Sequence, residues 1–390
     1  MQLIYAFAEP LPLPRARGVQ VLNTVAALAE AGAQVSLLHV PVLASQDSGI
    51  GSSSAALDPF IAAGMPHPPN VRLHALSRAL PWPLQRWHSS RLFAWRLRRY
   101  LQHTPGVITD RGNRPLLVRH LKLAAWLVQA MPALRFAYEA HEVFGDTAAA
   151  SKQTTQRALE QTVLRGAAAI IANSGATAER LQSLYGAAQR IEVIPNGVSW
   201  PVTLPGKPWN EAAQHIVYAG SFFPWKGVNE LMAAAAQLPG HRLQLIGEEN
   251  INKINNLRKI SAGAGATLDF TGRLTQSEVM TQLGASCIAV LPNRDDTDSR
   301  FTSPIKLFEY MAAGCAIVAS DLPALREILG AEDAVWVKAG DAQSLAEGIR
   351  GLAANPDLAR AMGERVRQRA RGYTWQARAT RVLEVLQHLG

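Results

Sequence analysis

Ser303-Pro304-Ile305-Lys306-Leu307-Phe308-Glu309-Tyr310-Met311-Ala312-Ala313-Gly314 is the stretch on which the reading of the fold turns. An apolar run ends near Leu291, and residues 292–302 are polar and loop-like. Pro304 suits the first position of a helix because it has no amide proton to lose. Ser303, just before it, is the expected N-cap, and Gly314 closes the helix. The exposed amides and positive dipole end of such a helix can hold a phosphate or diphosphate. Glu309 lies under two turns in, where its carboxylate could accept paired hydrogen bonds from vicinal hydroxyls, such as those of a ribose. The plain alternative is a capped helix with a surface glutamate.

Strand-length apolar runs alternate with helical patterns on both sides of this stretch, as in parallel sheets with crossover helices. In the first half, strands are expected at residues 3–8, 34–38, 71–76, 107–109, 135–139, 168–172 and 191–194. Helices are expected between them at 19–31, 84–101, 115–131, 152–165 and 176–185, and residues 43–57 read as a loop. Residues 198–211 hold Pro201, Pro205 and Pro208 without periodicity and read as a linker. A second alternating series follows, with strands at 215–219, 242–246, 267–270, 287–291, 316–319 and 334–337. The expectation is an α/β protein of two doubly wound, Rossmann-like domains, residues 1–200 and 201–372, facing a cleft. Ligands in such sheets bind at the C-terminal strand ends. The amphipathic segment 373–390 is expected to be a helix that crosses back to the first domain.

Composition narrows the class. With 390 residues the chain is too long for one ordinary core. Two cysteines, Cys287 and Cys315, exclude a disulfide scaffold or a cysteine-built zinc site. No run of 18 apolar residues suggests a membrane span, and residues 1–14 read as a first strand, not a signal peptide. A cytoplasmic, reduced location follows as the expectation. The net charge of +9 is uneven: residues 1–200 carry 19 basic against 11 acidic residues. It is densest over 60–135, where twelve basic residues face one acid, Asp110. Such a patch attracts nucleic acid, anionic lipid or a phosphorylated substrate. No nucleic-acid module is visible, which disfavours the first. A solvated, Arg-rich face is the bland reading.

The motifs around residue 303 resemble the donor-site signature of the GT-B glycosyltransferases, specifically the retaining, nucleotide-sugar-dependent family 4. Tyr218-Ala219-Gly220-Ser221 with Lys226-Gly227 resembles the loop that opens that family's second domain. Leu245-Ile246-Gly247, Phe270-Thr271-Gly272-Arg273 and Ile317-Val318-Ala319-Ser320-Asp321 resemble its later strand ends. Ala172-Asn173-Ser174 and Val193-Ile194-Pro195-Asn196-Gly197-Val198 match in the first domain, so the ordered set spans nearly the whole chain.

The resemblance implies roles residue by residue. Glu309 would bind the nucleotide ribose. The amides of Ile305 and Lys306, behind Ser303 and Pro304, would take the diphosphate. Lys226 would neutralise the leaving diphosphate with no metal or other cofactor. Gly220 and Ser221 fall in the loop beside it, and His141 would sit by the transferred sugar or help place the acceptor. Gly18 resembles the first-loop glycine that lets backbone approach donor or acceptor. Asn173 and Ser174 read as structural caps. Two departures stand out: Phe301 occupies the place of a glutamate eight residues before Glu309, and Ser221 that of an arginine. The charge missing at Ser221 could come from Arg273, Arg300, Arg15 or Arg17.

By resemblance the first domain takes the acceptor, often a lipid-linked one. Residues 81–101 fit this, with Trp87, Phe93, Ala94, Leu97, Tyr100 and Leu101 on one helical arc and Arg91, Arg96, Arg98 and Arg99, with Leu92 and Trp95, on the other. The second arc has the composition of an interfacial helix. The expected function is transfer of a sugar from a UDP- or GDP-sugar to a hydroxyl of a glycan or lipid-linked acceptor, with retention, in cell-surface polysaccharide or lipopolysaccharide assembly. The expected place is the inner face of the plasma membrane. The alternatives are an epimerase or phosphorylase on the same fold, or an inactive nucleotide-sugar or membrane-binding protein.

Overall fold

The structure, a computed structural model, describes residues 1–13, 15–42, 56–79, 89–107, 114–186, 189–201, 203–261, 265–301 and 303–389. The chain forms two compact units. One comprises Met1–Asn173, Thr177–Pro195 and Trp375–Gly390, the other Ser174–Ala176 and Asn196–Thr374. Within the described residues no helix is long and apolar enough to cross a membrane.

The first unit is built on seven strands: β1 (Gln2–Leu11), β2 (Gln34–Pro41), β3 (Val71–Ala75), β4 (Leu116–Val118), β5 (Phe136–Ala140), β6 (Ala169–Ala172) and β7 (Ile191–Val193). They pair in parallel in the order β3-β2-β1-β4-β5-β6-β7. Leu3 to Ala8 are all buried, with no alternation, as expected of a strand covered on both faces. The order reverses between β1 and β4, which opens a crevice at the strand ends there.

The second unit has six parallel strands: β8 (Ile216–Ala219), β9 (Arg242–Ile246), β10 (Thr267–Gly272), β11 (Ile288–Leu291), β12 (Ala316–Ser320) and β13 (Val335–Val337). Their order is β10-β9-β8-β11-β12-β13, so the reversal falls between β8 and β11. The loop after β8 carries Gly220 to Lys226, and the loop after β11 leads to the helix Ile305–Ala312. Both therefore meet at one end of the sheet. The last helix, Trp375–Gln387, packs on Ala16–Glu30 in the first unit. The chain passes between units at 173/174, 176/177, 195/196 and 374/375.

The helix expected over 115–131 is a strand, β4, followed by the helix Leu121–Ala130. Leu116, Leu117 and Val118 are fully buried between β1 and β5. A three-residue apolar run has no period of its own, so it merges with the helical pattern behind it. Of the strand expected at 107–109, residues 108 and 109 lie outside the described residues. So do Pro14, most of the 43–57 loop, and Trp87 with the rest of 80–88.

Candidate functional site

In the second unit the sheet reversal gathers the residues singled out around 303. After β8 the chain makes a short 3-10 turn, Pro224–Lys226, and enters the helix Val228–Ala235 through Gly227. Gly227 has φ +70°, and a Cβ there would lie 1.7 Å from the Pro292 carbonyl oxygen. Only glycine lets the turn and the loop after β11 come this close. The Trp225 carbonyl accepts the Arg294 N–H at 3.0 Å, which ties that loop down. Lys226 Nζ sits 3.8 Å from the centre of the Trp225 ring. Burial first, and then Lys306, pull the Lys226 pKa down to about 7, with Asp296 opposing.

The helix Ile305–Ala312 supplies the other half. Glu309 is only 2% exposed, which excludes the surface-glutamate reading. Lys306 Nζ lies 2.8 Å from its Oε2, an ion-pair contact without hydrogen-bond geometry. That oxygen and Asn293 Nδ2 are buried with no hydrogen-bond partner among the described residues. Tyr310 fixes the helix against β8: its hydroxyl accepts the Ala219 N–H at 2.7 Å and donates to the Ala219 carbonyl at 3.1 Å. Gly314, at φ +67°, ends the helix as expected.

Ser303 is not the N-cap. Pro304 holds that position, and no side chain caps the first turn. The Ser303 hydroxyl instead accepts the Asn196 N–H at 3.1 Å, and its carbonyl accepts Asn196 Nδ2 at 2.7 Å. The turn at Asn196 thus takes the serine that sequence spacing assigns to the cap. No acidic residue occupies the first turn either, so the positive end of the helix stays uncompensated there.

Gly220 donates its N–H to the Ile246 carbonyl at 2.9 Å. Ser221 is exposed, and its carbonyl accepts the Tyr218 hydroxyl at 2.8 Å. Neither arginine of this unit named as a substitute for a cation at Ser221 is drawn to Lys226. Arg273 lies 4.0 Å from Glu249, and Arg300 lies 3.1 Å from Asp295. The cation that acts on Lys226 is Lys306, which the sequence reading used only for its amide. Its i, i+3 spacing to Glu309 was the available signal. Phe301 is 8% exposed, a buried ring where the family pattern has a carboxylate.

In the first unit His141 follows β5, and its carbonyl accepts Asn173 Nδ2 at 3.0 Å, which gives Asn173 a structural role. The His141 ring is governed by Glu139, a buried carboxylate in an apolar strand that sequence reasoning passed over. Glu139 Oε2 accepts the Tyr5 hydroxyl at 2.6 Å. Its Oε1 accepts Gln20 Nε2 at 3.0 Å and an Arg378 N–H, and lies 3.4 Å from His141 Nε2. Arg378, 3% exposed, also donates to the carbonyls of Ile194 and Pro195. Burial tends to raise the Glu139 pKa, but His141, Arg378 and Arg119 hold it well below the usual range. Burial, with Arg119 adding, lowers that of His141 to about 4, so the imidazole is neutral at pH 7. Gly18 lies in the first turn of Ala16–Glu30, where a Cβ would meet the Leu13 carbonyl oxygen at 2.2 Å. Its missing side chain is used by Leu13. Arg17 pairs with Glu9 at 3.0 Å.

Two family models match this arrangement. "Glycosyltransferase Family 4" matches residues 18–199, and "Glycosyl transferases group 1" matches 205–369. Together they leave out only residues 1–17, 200–204 and 370–390. The chain belongs to the family 4 glycosyltransferases.

Among curated members of the family, a D-inositol 3-phosphate glycosyltransferase of Pseudarthrobacter chlorophenolicus is 28% identical over 244 residues, 58% of this chain and 57% of that protein. A phosphatidyl-myo-inositol mannosyltransferase of Mycolicibacterium smegmatis is 26% identical over 203 residues, 49% of this chain and 50% of its own. The chain thus spans little more than half the length of these relatives. Solved structures share the GT-B fold over the full length. Sucrose-phosphate synthase from Thermosynechococcus elongatus has a TM-score of 0.75 at 19% identity, covering 99% of each chain. The Anabaena HepE complex with UDP-glucose has a TM-score of 0.70 at 16% identity, covering 100% of each. Lys226 and Glu309 fall in the segment matched by the group 1 model, Gly18 and His141 in that matched by the family 4 model.

Proposed function

We propose that this chain is a retaining glycosyltransferase that moves a sugar from a nucleoside diphosphate donor to a hydroxyl of a glycan or lipid-linked acceptor. One observation carries the reading. At the reversal of the second sheet, a desolvated lysine, Lys226, stands with Lys306 and the buried Glu309 beside a helix start that no side chain caps. Two basic side chains and free amides suit a diphosphate, and a carboxylate suits a vicinal diol. As the sugar–phosphate bond breaks, negative charge grows on the diphosphate. Lys226, Lys306 and the amides of Ile305 and Lys306 stabilise that charge without a metal. The donor's own phosphate then helps to take the acceptor proton, and the neutral His141 positions a sugar hydroxyl. Catalysis is positioning plus leaving-group stabilisation.

The UDP-glucose complex of the Anabaena neighbour makes a uridine nucleotide the first donor to try. The named acceptors of the relatives, an inositol phosphate and a phosphatidylinositol, favour a phosphorylated or lipid-linked acceptor. With a lipid-linked acceptor, the reading extends to work at the inner face of the plasma membrane, in surface-glycan assembly.

Glu309→Ala and Lys226→Ala are each expected to lower transfer by about 10²-fold or more, with unchanged unfolding temperature. Full turnover in both refutes the assignment. The buried Phe301 and the exposed Ser221 favour a second reading, a nucleotide-sugar-binding protein without turnover. Binding without product across UDP- and GDP-sugars is its signature.

A further inference from the structure

Glu139 is a buried carboxylate, 1% exposed, that the transfer chemistry leaves without a task. Its Oε2 accepts the Tyr5 hydroxyl at 2.6 Å. Its Oε1 accepts Gln20 Nε2 at 3.0 Å and an N–H of Arg378, from the helix Trp375–Gln387. These anchors are themselves fixed. The Gln20 amide is held in this orientation because its Oε1 accepts an Arg119 N–H. Arg378 is buried and also donates to the carbonyls of Ile194 and Pro195. Glu139 Oε1 is thereby held 3.4 Å from His141 Nε2.

The two nitrogens of the His141 ring stand in different surroundings. Nε2 is buried, and no described residue forms a hydrogen bond with it. Nδ1 bonds to no described residue either, but it is not among the buried atoms, and the side chain is 11% exposed. A neutral imidazole carries one proton, so one nitrogen donates and the other accepts. With Nε2 bare, its lone pair would face the Glu139 carboxylate in a buried place where nothing screens the repulsion. With the proton on Nε2, the same contact is attractive. The neighbour of one ring nitrogen thus sets the role of the other. Arg119 disfavours a second proton on the ring.

We propose that Glu139 is a positioning residue: with Gln20 and Arg378 it locks the His141 ring as its Nε2–H tautomer and leaves Nδ1 free as a hydrogen-bond acceptor. The group that meets Nδ1 must then be a hydroxyl that donates its proton, and an ether or carbonyl oxygen there is refused. The last helix acts on His141 through Arg378 without touching substrate. This rests on reading His141 as a residue of the transfer site.

The test is the nitrogen-15 spectrum of the imidazole rings in the full, histidine-labelled chain near neutral pH, with the His141 signals assigned by their loss in His141→Ala. The wild type should show Nε2 at the shift of a protonated ring nitrogen and Nδ1 at that of a bare one, without averaging. Glu139→Leu combined with Arg378→Leu removes the carboxylate and its counter-charge together, so no buried charge is left unpaired. In that variant the two shifts should move toward each other as the tautomers mix. A Glu139 that only holds the fold would leave the ring shifts of a folded variant unchanged. A proton on Nδ1 or averaged shifts in the wild type, or unchanged shifts in the folded double variant, overturns the lock. If the double variant does not fold, the wild-type spectrum decides alone. The spectrum needs no donor or acceptor, so the two readings fail separately. Full transfer by His141→Ala overturns the place of His141 in the site, whatever its tautomer. Lost transfer there with averaged wild-type shifts overturns only the lock.

Discussion

Lys226 carries the sharpest consequence at the scale of single residues. Its pKa stands at about 7 because burial and Lys306 disfavour its charge. A diphosphate favours the charged form and raises that pKa on binding. Near pH 7 about half of the free chains carry neutral Lys226, and the fraction grows as pH rises. Affinity for UDP should therefore fall above pH 7, by up to about ten-fold per pH unit, with proton uptake on binding. Calorimetry from pH 6.5 to 9 in buffers of different ionisation heat reads both quantities. Lys226→Arg should flatten the profile, because a guanidinium stays charged throughout. A wild-type affinity that does not change with pH contradicts this account of Lys226. Residue-level legibility was uneven for a physical reason. Lys226 and Glu309 stood out through local motif. The hub at Glu139 did not, because its partners Tyr5, Gln20 and Arg378 lie 134, 119 and 239 positions away. Ser303 was misassigned for the same reason: its competitor Asn196 is 107 residues off.

Among the elements, the helix Ser90–His103 departs most from a core helix. Phe93, Ala94, Leu97 and Leu101 are buried, as the wheel predicts. Trp95 is 52% exposed, with the Arg99 guanidinium 5.9 Å from its ring centre, and Arg91 and Arg98 are exposed as well. Arg96 departs from the expected outer arc, since its guanidinium bonds the Ser77 carbonyl. That leaves three arginines and a tryptophan for a surface. At about 1 kcal/mol per basic residue near an anionic membrane, they suffice for weak, salt-sensitive attachment. Co-sedimentation should show binding to vesicles rich in anionic lipid, little to neutral ones, and loss in Arg91→Gln/Arg98→Gln/Arg99→Gln. Equal binding to both vesicle types, or none, removes the membrane role from this helix. Strands and helices with full-length apolar patterns were legible because a parallel strand covered on both faces has no polar alternation. β4 was not, because three consecutive apolar residues are shorter than one helical turn and, buried on both faces, show no strand alternation.

For the whole molecule, two open parallel sheets, each with one reversal of strand order, explain where the candidate residues lie. Lys226 and the start of the helix Ile305–Ala312 follow the C-terminal ends of β8 and β11, and the excess charge of the chain falls in the first half. That division was visible in sequence, because motif order and charge counts are properties of the chain itself. The pinning of the helix Ile305–Ala312 by Tyr310 was not, since its partner Ala219 lies 91 positions away and is reached only when the sheet forms. A donor site around Glu309 makes nucleotide-dependent stabilisation its most direct consequence. A bound ligand raises the unfolding temperature as RT ln(1 + [L]/Kd) grows. UDP titrated into the wild-type chain should raise it steadily, and the same titration into Glu309→Ala should leave it nearly unchanged. An equal rise in both proteins, or none in the wild type with any nucleoside diphosphate, would contradict the donor site proposed around Glu309.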